Sequence, residues 1–179
     1  MVTIIFETHS TTLDNEAGRA SGHYDAALSP LGERQVAELG RRRAQENFDA
    51  IYCSDQQRSY RTAEIAFPKL RDRIIRDPRL RECNYGSWTR KPDTALKLEK
   101  INHRTLPFPD GESYQQAMER MRTFLDDLLQ RHNGQRILVI GHRAQQYALE
   151  HFSNGVPLAA AITAPWQWQP GWEYHLDAL

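Results

Sequence analysis

The sequence has few of the features that mark secreted, membrane-spanning or disulfide-stabilised proteins. It contains two cysteines, Cys53 and Cys83, among 179 residues, and no Cys-x-x-Cys spacing that would indicate a disulfide framework or a zinc site. No apolar run approaches membrane-spanning length, and the first residues lack the basic and apolar regions of a signal peptide. We therefore expect a cytoplasmic protein in which both cysteines are packing residues.

An excess of charge of either sign is also absent. Lys plus Arg and Asp plus Glu are equal at 23 each, so no overall field attracts the protein to nucleic acid or to an anionic membrane. We predict no nucleic-acid partner and no membrane partner. Any site that binds an anion must be built locally.

The sequence does contain an alternation of short apolar runs and amphipathic segments. Residues 2–6 and 137–140 are nearly continuous apolar runs, typical of strands that are covered on both faces of a parallel sheet, and residues 51–53 are a weaker third candidate. Helical patterns are predicted for residues 30–46, 57–67, 112–132 and 143–151, and an edge strand for 172–176.

This alternation predicts a three-layer α/β/α sandwich with a mainly parallel central sheet. A chain of 179 residues that is 40% hydrophobic fits a single domain over residues 1–179. Ligands of such folds bind at the carboxyl ends of the strands.

Two histidines follow buried strands closely enough to reach that edge of the sheet. His9 and His142 come just after the apolar runs 2–6 and 137–140. A neutral imidazole can attack phosphorus without first losing a proton, and a second imidazole can hydrogen-bond the charged phosphate oxygens. Zinc is the competing interpretation, but the sequence has no His-Glu-x-x-His motif and no third ligand at a familiar spacing. We predict one phosphate-handling site without a metal, and surface or structural roles for the other histidines: His23, His103, His132, His151 and His175.

Six ordered segments resemble the motifs of one enzyme family. They are Thr-His-Ser-Thr at 8–11, Leu-Ser-Pro-Leu-Gly-Glu-Arg-Gln at 28–35, Cys-Ser-Asp-Gln-Gln-Arg with Arg-Thr-Ala-Glu in 53–64, Arg-Leu-Arg-Glu with Gly in 79–86, Pro-Asp-Gly-Glu-Ser at 109–113, and Val-Ile-Gly-His at 139–142. Together they resemble the histidine phosphatase superfamily, which includes phosphoglycerate mutases and many small phosphomonoesterases. The third segment is similar to the family pattern Ser-Ser-Asp-Leu-x-Arg.

The resemblance implies a role for each matching residue. His9 would be the nucleophile that becomes phosphohistidine, Arg58 and His142 would hold phosphate oxygens, and Glu82 would be the general acid that protonates the leaving group. Further phosphate or substrate contacts are expected from Thr8, Ser10, Asn15, Ser21, Gly22 and Arg143.

The chain departs from the family at its first motif. Thr8 stands where the family has an arginine, and Ser10 and Thr11 stand where it has Gly-Glu. A charge-assisted hydrogen bond is worth about 1.5–3 kcal/mol, which corresponds to roughly ten- to a hundredfold in turnover. We predict that Arg143 compensates by reaching the same phosphate, and that Glu7 pairs with Arg143.

A segment rich in cations, residues 84–112, follows Glu82 and is expected to form a lid over the substrate. The resemblance and the residues together predict a phosphomonoester hydrolase that acts through phosphohistidine on a small phosphorylated metabolite, with no cofactor. The alternative is a catalytically degenerate member that binds a phosphorylated ligand or partner. A mutase is less favoured because this chain is compact. The aromatic stretch 166–174 could pack over the sheet or form a homodimer contact.

Overall fold

The computed structural model describes residues 1–179 and is organised around one five-stranded sheet. The strands are β1 (Val2–Thr8), β2 (Ala50–Cys53), β3 (Ile74–Arg76), β4 (Arg136–Gly141) and β5 (Trp172–Leu176). Their order across the sheet is β3-β2-β4-β1-β5. The first four are parallel, and β5 pairs antiparallel with β1. The mainly parallel α/β sheet expected from the sequence is confirmed.

Seven α-helices connect or flank these strands. They are α1 (Leu13–Glu16), α2 (Pro30–Arg42), α3 (Gln57–Ala66), α4 (Asp93–Glu99), α5 (Tyr114–Arg131), α6 (Arg143–Asn154) and α7 (Leu158–Thr163). Short 3-10 helices lie at Pro68–Arg73, Pro78–Leu80 and Gly86–Trp88. No helix combines the length and the apolar character that crossing a bilayer requires.

Serine side chains cap two of the predicted helices, α2 as expected and α5, which begins at Tyr114 rather than at residue 112. Ser29 Oγ accepts a hydrogen bond from the Gly32 amide at 3.2 Å, and Pro30 occupies the first position of α2. Ser113 and Gln116 form a reciprocal capping box at the start of α5. The sequence did not indicate β3, α4 or α7, because each is too short to show a clear hydrophobic period.

The sheet is covered on both faces, which gives the three layers. On one face, side chains of the strands such as Ile4, Phe6 and Val139 pack against α5 and α6. On the other face, Ile5 and Ile140 pack against α2 and α3. Alternate side chains of a strand point to opposite faces, so each strand contributes to both layers of core. The carboxyl ends of β1, β2 and β4 lie side by side at one edge.

Both cysteines lie inside the protein, as predicted. Cys53 and Cys83 are free and buried. Burial raises the pKa of the Cys53 thiol to about 12, because the charged thiolate is disfavoured away from water. Cys53 is therefore a small apolar packing residue at neutral pH.

Candidate active site

The paired strands β1 and β4 bring the two histidines together. Thr8 is opposite Gly141 in the sheet, and the His9 amide donates to the Gly141 carbonyl at 3.0 Å just beyond the ladder. His142 follows Gly141 directly. The two imidazole rings have their centroids 5.0 Å apart, with planes inclined by 57°. The expectation that the histidines meet at the carboxyl edge of the sheet agrees with this geometry.

The His9 ring is held in one tautomer. Its Nδ1 lies 2.8 Å from the Ser10 carbonyl oxygen, which can only accept a hydrogen bond, so Nδ1 carries the proton and Nε2 keeps its lone pair. Burial is the main cause that lowers the pKa of His9 to about 3, and the nearby positive charge of Arg58 adds to it. His9 is therefore neutral at pH 7, with Nε2 available as a nucleophile.

The second imidazole, His142, is 1% exposed. Neither ring nitrogen has a hydrogen-bond partner. Burial lowers the pKa of His142 well below its usual value, and Arg58 and His9 act in the same direction. A buried polar group without a partner costs free energy, so these nitrogens indicate a place where a polar ligand is received.

Arg58, in the first turn of α3, supplies the positive charge of the site. It is 2% exposed, and its guanidinium donates to the carbonyls of Gly22 at 2.8 Å and Tyr24 at 3.0 Å and to Gln56 Oε1 at 3.2 Å. All three acceptors are neutral. Because no carboxylate pairs with it, Arg58 retains a charge able to bind an anion beside the two histidines.

Gly22 is required by its backbone and by the space around it. Its φ is +51°, and a Cβ at this position would lie 2.8 Å from Cδ2 of Tyr85. Only glycine adopts this conformation without strain. The Gly22 carbonyl is thereby directed at the Arg58 guanidinium, so Gly22 contributes through its main chain.

Glu82 brings a carboxylate to the start of α6. It is 8% exposed. Its Oε1 accepts hydrogen bonds from the amides of Cys83 at 2.8 Å and Ala144 at 3.2 Å, and its Oε2 accepts one from the Arg143 amide at 3.2 Å. Since Arg143 follows His142, the Glu82 carboxylate lies at the amino-terminal end of α6, which begins beside the histidine pair.

The other residues predicted to contact phosphate or substrate do not all direct their side chains at the histidine pair. The Ser10 amide donates to Thr62 Oγ1 at 3.1 Å, which fixes the loop after His9. Ser21 Oγ donates to Asp14 at 3.2 Å. Asn15 is exposed, and its side-chain oxygen closes the capping box of α1 with Thr12. The structure thus joins His9, His142, Arg58 and Gly22, while the side chains of Ser21 and Asn15 are directed at other partners.

The predicted pairing of Glu7 with Arg143 is wrong. Glu7 accepts hydrogen bonds from Arg43 Nη2 at 2.7 Å and Arg42 Nη2 at 3.0 Å. Glu7 shares the face of β1 that packs against α2, whereas α6 covers the opposite face. The Arg143 guanidinium bonds Gln146 and lies over the rings of Tyr147 and Trp166 at 5.0 and 5.3 Å. Its side chain therefore runs along α6, and its main-chain amide is the group that faces Glu82.

Three residues next to the site were not indicated by the sequence. Gln56 bonds Arg58, Gly22 and the Glu82 amide. His23 Nε2 donates to the Glu82 carbonyl at 2.9 Å, and burial lowers the pKa of His23. Arg120 on α5 donates to the carbonyls of Arg79 and Arg81 and to the Glu112 carboxylate. These contacts join residues far apart in the chain, so no local pattern predicts them.

The segment 84–112 lies against the loop before α2. The Arg90 amide donates to the Ala20 carbonyl at 2.7 Å, the Ala20 amide to the Lys91 carbonyl at 3.0 Å, and the Asp93 amide to the Gly18 carbonyl at 2.8 Å. The Arg90 side chain pairs with Asp14 at 3.2 Å. These bonds place the segment beside the loop that carries Gly22.

The fold and the site together define an α/β protein with two histidines and a buried arginine at the carboxyl ends of its parallel strands. The sequence model of the histidine phosphatase superfamily (branch 1) matches residues 4–167. The chain belongs to this superfamily, and the family predicted from the sequence is confirmed.

Curated relatives match most of the chain. It is 32% identical over 168 residues to the "Probable phosphoglycerate mutase GpmB" of Erwinia tasmaniensis, covering 89% of this chain and 78% of that protein. It is 30% identical over 169 residues to "Phosphoserine phosphatase 1" of Hydrogenobacter thermophilus, covering 89% and 79%. The relatives thus carry both mutase and phosphatase names.

A solved structure supports the fold independently. YhfR of Bacillus stearothermophilus superposes with a TM-score of 0.82 at 24% identity, over 95% of this chain and 88% of that one. At this identity the likeness concerns the fold. The phosphoglycerate mutase-like arrangement of sheet and helices predicted from the sequence agrees with it.

Proposed function

We propose that the protein is a phosphomonoester hydrolase that acts through a phosphohistidine at His9. The observation that carries this proposal is the state of His9: a neutral imidazole whose Nδ1 proton is bonded to the Ser10 carbonyl, so that Nε2 is free. The unpartnered nitrogens of His142 and the unneutralised charge of Arg58 support a phosphate position beside it. In this proposal Thr8-His9-Ser10 stands in the place of the family's Arg-His-Gly signature.

The reaction has two steps. His9 Nε2 forms a bond to phosphorus while the ester P–O bond breaks, and the departing alkoxide takes a proton from Glu82. Water then attacks the phosphohistidine, Glu82 accepts a proton from that water, and the P–N bond breaks to release phosphate. Arg58 and His142 hold the charged oxygens throughout, and they bind more strongly as charge gathers in the transition state.

The surroundings of Glu82 support its proposed role as the acceptor of a proton from the attacking water. Its carboxylate contacts the first two amides of α6, and the amino end of a helix favours an anion through its dipole and its unpaired N–H groups. A phosphate held by His142 would share that end with Glu82. Because the Arg143 amide already donates to the Glu82 carboxylate, we infer that Arg143 positions Glu82 and that its guanidinium is not the substitute phosphate clamp.

The second candidate is a binding protein without turnover. Thr8 favours it, because a neutral hydroxyl stabilises a transferring phosphoryl group less than the family's arginine does. A phosphate would then bind among Arg58, His142 and His9 without being transferred. Phosphoglycerate mutase activity is less favoured, although several relatives carry that name.

The experiment compares the purified wild type with His9→Ala and, as a matched control, His175→Ala on the exposed side of β5. Hydrolysis of p-nitrophenyl phosphate and of a panel of phosphorylated metabolites is measured in EDTA. Binding of inorganic phosphate is measured by calorimetry. We expect activity in the wild type and in His175→Ala, with loss in His9→Ala.

Trapping the intermediate gives a direct readout. Rapid quenching at alkaline pH followed by mass spectrometry should find a phosphate on His9. Phosphate binding without hydrolysis in every variant would favour the binding protein, and equal hydrolysis by His9→Ala would exclude the phosphohistidine mechanism. Activity in EDTA tests the proposed independence from metal. The cytoplasmic location, the homodimer and the single-domain assignment stay predictions.

A further inference from the structure

Gln56 connects three parts of the candidate site through one buried side chain. It is the N-cap residue of α3, yet its side chain makes no capping hydrogen bond. Instead Nε2 donates to the Gly22 carbonyl at 2.9 Å, and Oε1 accepts from the Glu82 amide at 2.9 Å and from Arg58 Nη2 at 3.2 Å. The residue is 5% exposed, so these bonds are made away from bulk water.

The contacts form a closed arrangement around the Arg58 guanidinium. Arg58 Nη2 donates both to Gln56 Oε1 and to the Gly22 carbonyl, and the Gly22 carbonyl also accepts from Gln56 Nε2. Arg58 is therefore held in place by an amide and a peptide group that are themselves bonded to each other. Such fixing of a long side chain reduces the conformational entropy that it would lose on binding a ligand.

The neutrality of the Gln56 side chain matters as much as its geometry. An amide oxygen orients Arg58 without cancelling its positive charge, whereas a carboxylate here would form an ion pair and compete with the phosphate. The donor of the amide is needed as well, since Nε2 faces a carbonyl that can only accept. Among polar side chains of this size, glutamine alone offers a neutral acceptor to Arg58 together with a donor to Gly22.

We propose that Gln56 is a positioning residue that holds Arg58 and the main chain of Glu82 in register, while leaving the charge of Arg58 free for the phosphate. The inference rests on the proposed function for the roles of Arg58 and Glu82. The segment that resembles the family pattern Ser-Ser-Asp-Leu-x-Arg has Gln56 at the leucine position. Gln56 therefore makes polar contacts at a position where the family pattern has an apolar side chain.

The test compares Gln56→Leu and Gln56→Glu with the wild type. Gln56→Leu keeps the volume and removes every polar contact, so we expect a higher phosphate Kd, a higher KM and a lower kcat, each by at least about tenfold, as Arg58 and Glu82 both loosen. Gln56→Glu keeps an acceptor for the Glu82 amide but pairs with Arg58. We expect it to raise Kd and KM by at least about tenfold, with kcat much less affected.

A control separates positioning from stability. Tyr174→Phe removes a partly buried hydrogen bond, from Tyr174 to Glu150 at 2.7 Å, and should lower the melting temperature without changing Kd or KM. A merely structural Gln56 would behave in the same way, with apparent activity falling in proportion to the folded fraction and KM constant. That result, or unchanged kinetics in Gln56→Leu, overturns the proposal.

Two readouts keep the inference independent of folding and of turnover. If Gln56→Leu does not fold, the comparison of KM with kcat in Gln56→Glu decides the question. If the wild type binds phosphate but hydrolyses no ester, the proposed hydrolase fails while the phosphate Kd of the Gln56 variants still tests the positioning of Arg58. Phosphate Kd values equal to the wild type in both variants would show that Gln56 does not position Arg58.

Discussion

The carboxylate of Glu82 accepts a hydrogen bond from the main-chain amide of Arg143 at 3.2 Å. The same carboxylate reaches the next amide, that of Ala144, at 3.2 Å. A proposed general acid thus lies at the amino end of the helix that begins beside His142. The relationship gives Glu82 a fixed place next to the phosphate position and makes its role testable through the leaving group.

Glu82→Gln should impair poor leaving groups more than good ones. The amide oxygen can still accept from the Cys83 and Ala144 amides, but the side chain has no acidic proton to give to the departing oxygen. We expect roughly a hundredfold loss or more in kcat for alkyl phosphates and a much smaller loss for p-nitrophenyl phosphate, whose leaving group needs little protonation. Steady-state rates on both substrates measure the ratio. An equal loss on both would mean that Glu82 is not the general acid.

Arg58 and Arg143 should differ in their contribution. Arg58→Ala removes the buried charge beside the histidines and should lower kcat/KM by roughly ten- to a hundredfold. Arg143→Ala leaves the main-chain amide in place and removes only a side chain that contacts Gln146, Tyr147 and Trp166, so its loss should be much smaller. Losses of the same size would restore Arg143 as the substitute clamp that the sequence predicted.

An arginine at position 8, as the resemblance implies for the family, should raise activity. Thr8 is the last residue of β1, next to His9, and is partly exposed. Thr8→Arg adds a charge-assisted contact to phosphate and should raise kcat/KM by roughly ten- to a hundredfold. Thr8→Gln, long but neutral, is the matched control and should give little gain. No gain in Thr8→Arg, with an unchanged melting temperature, would contradict the idea that the missing arginine limits turnover.

The lowered pKa of His9 should make stability depend on pH. Unfolded His9 takes up a proton as the pH falls through 6.5, whereas folded His9, with its pKa at about 3, stays neutral. The unfolded state therefore binds more protons between these two pH values. As the pH is lowered, His9 reduces the unfolding free energy by up to about 1.4 kcal/mol per pH unit.

Urea unfolding from pH 7.5 to 4.5 measures this effect against His9→Gln, whose amide can still donate to the Ser10 carbonyl. The wild type should lose stability relative to the variant only below about pH 6.5. Parallel stability curves for the two proteins would show that the pKa of His9 is not lowered.

Much of the fold follows from local patterns. The apolar runs around Ile4 and Val139 and the Ser29-Pro30 helix start indicated two strands and a helix that the structure contains. These signals depend on residues within a few positions of one another, so they can be recognised without the tertiary structure. Elements that were not predicted, such as β3 (Ile74–Arg76), are too short to show a hydrophobic period.

The two histidines, the family and the covered parallel sheet could be predicted from the sequence, because each rests on residues at fixed local spacings. Which charged side chains pair with one another followed only from the packed structure. Glu7 pairs with Arg42 and Arg43 because they share one face of the sheet, and Gln56 reaches Gly22 and Glu82 because three distant segments converge at one edge. Such pairings depend on how whole elements pack, and packing is a property of the complete chain.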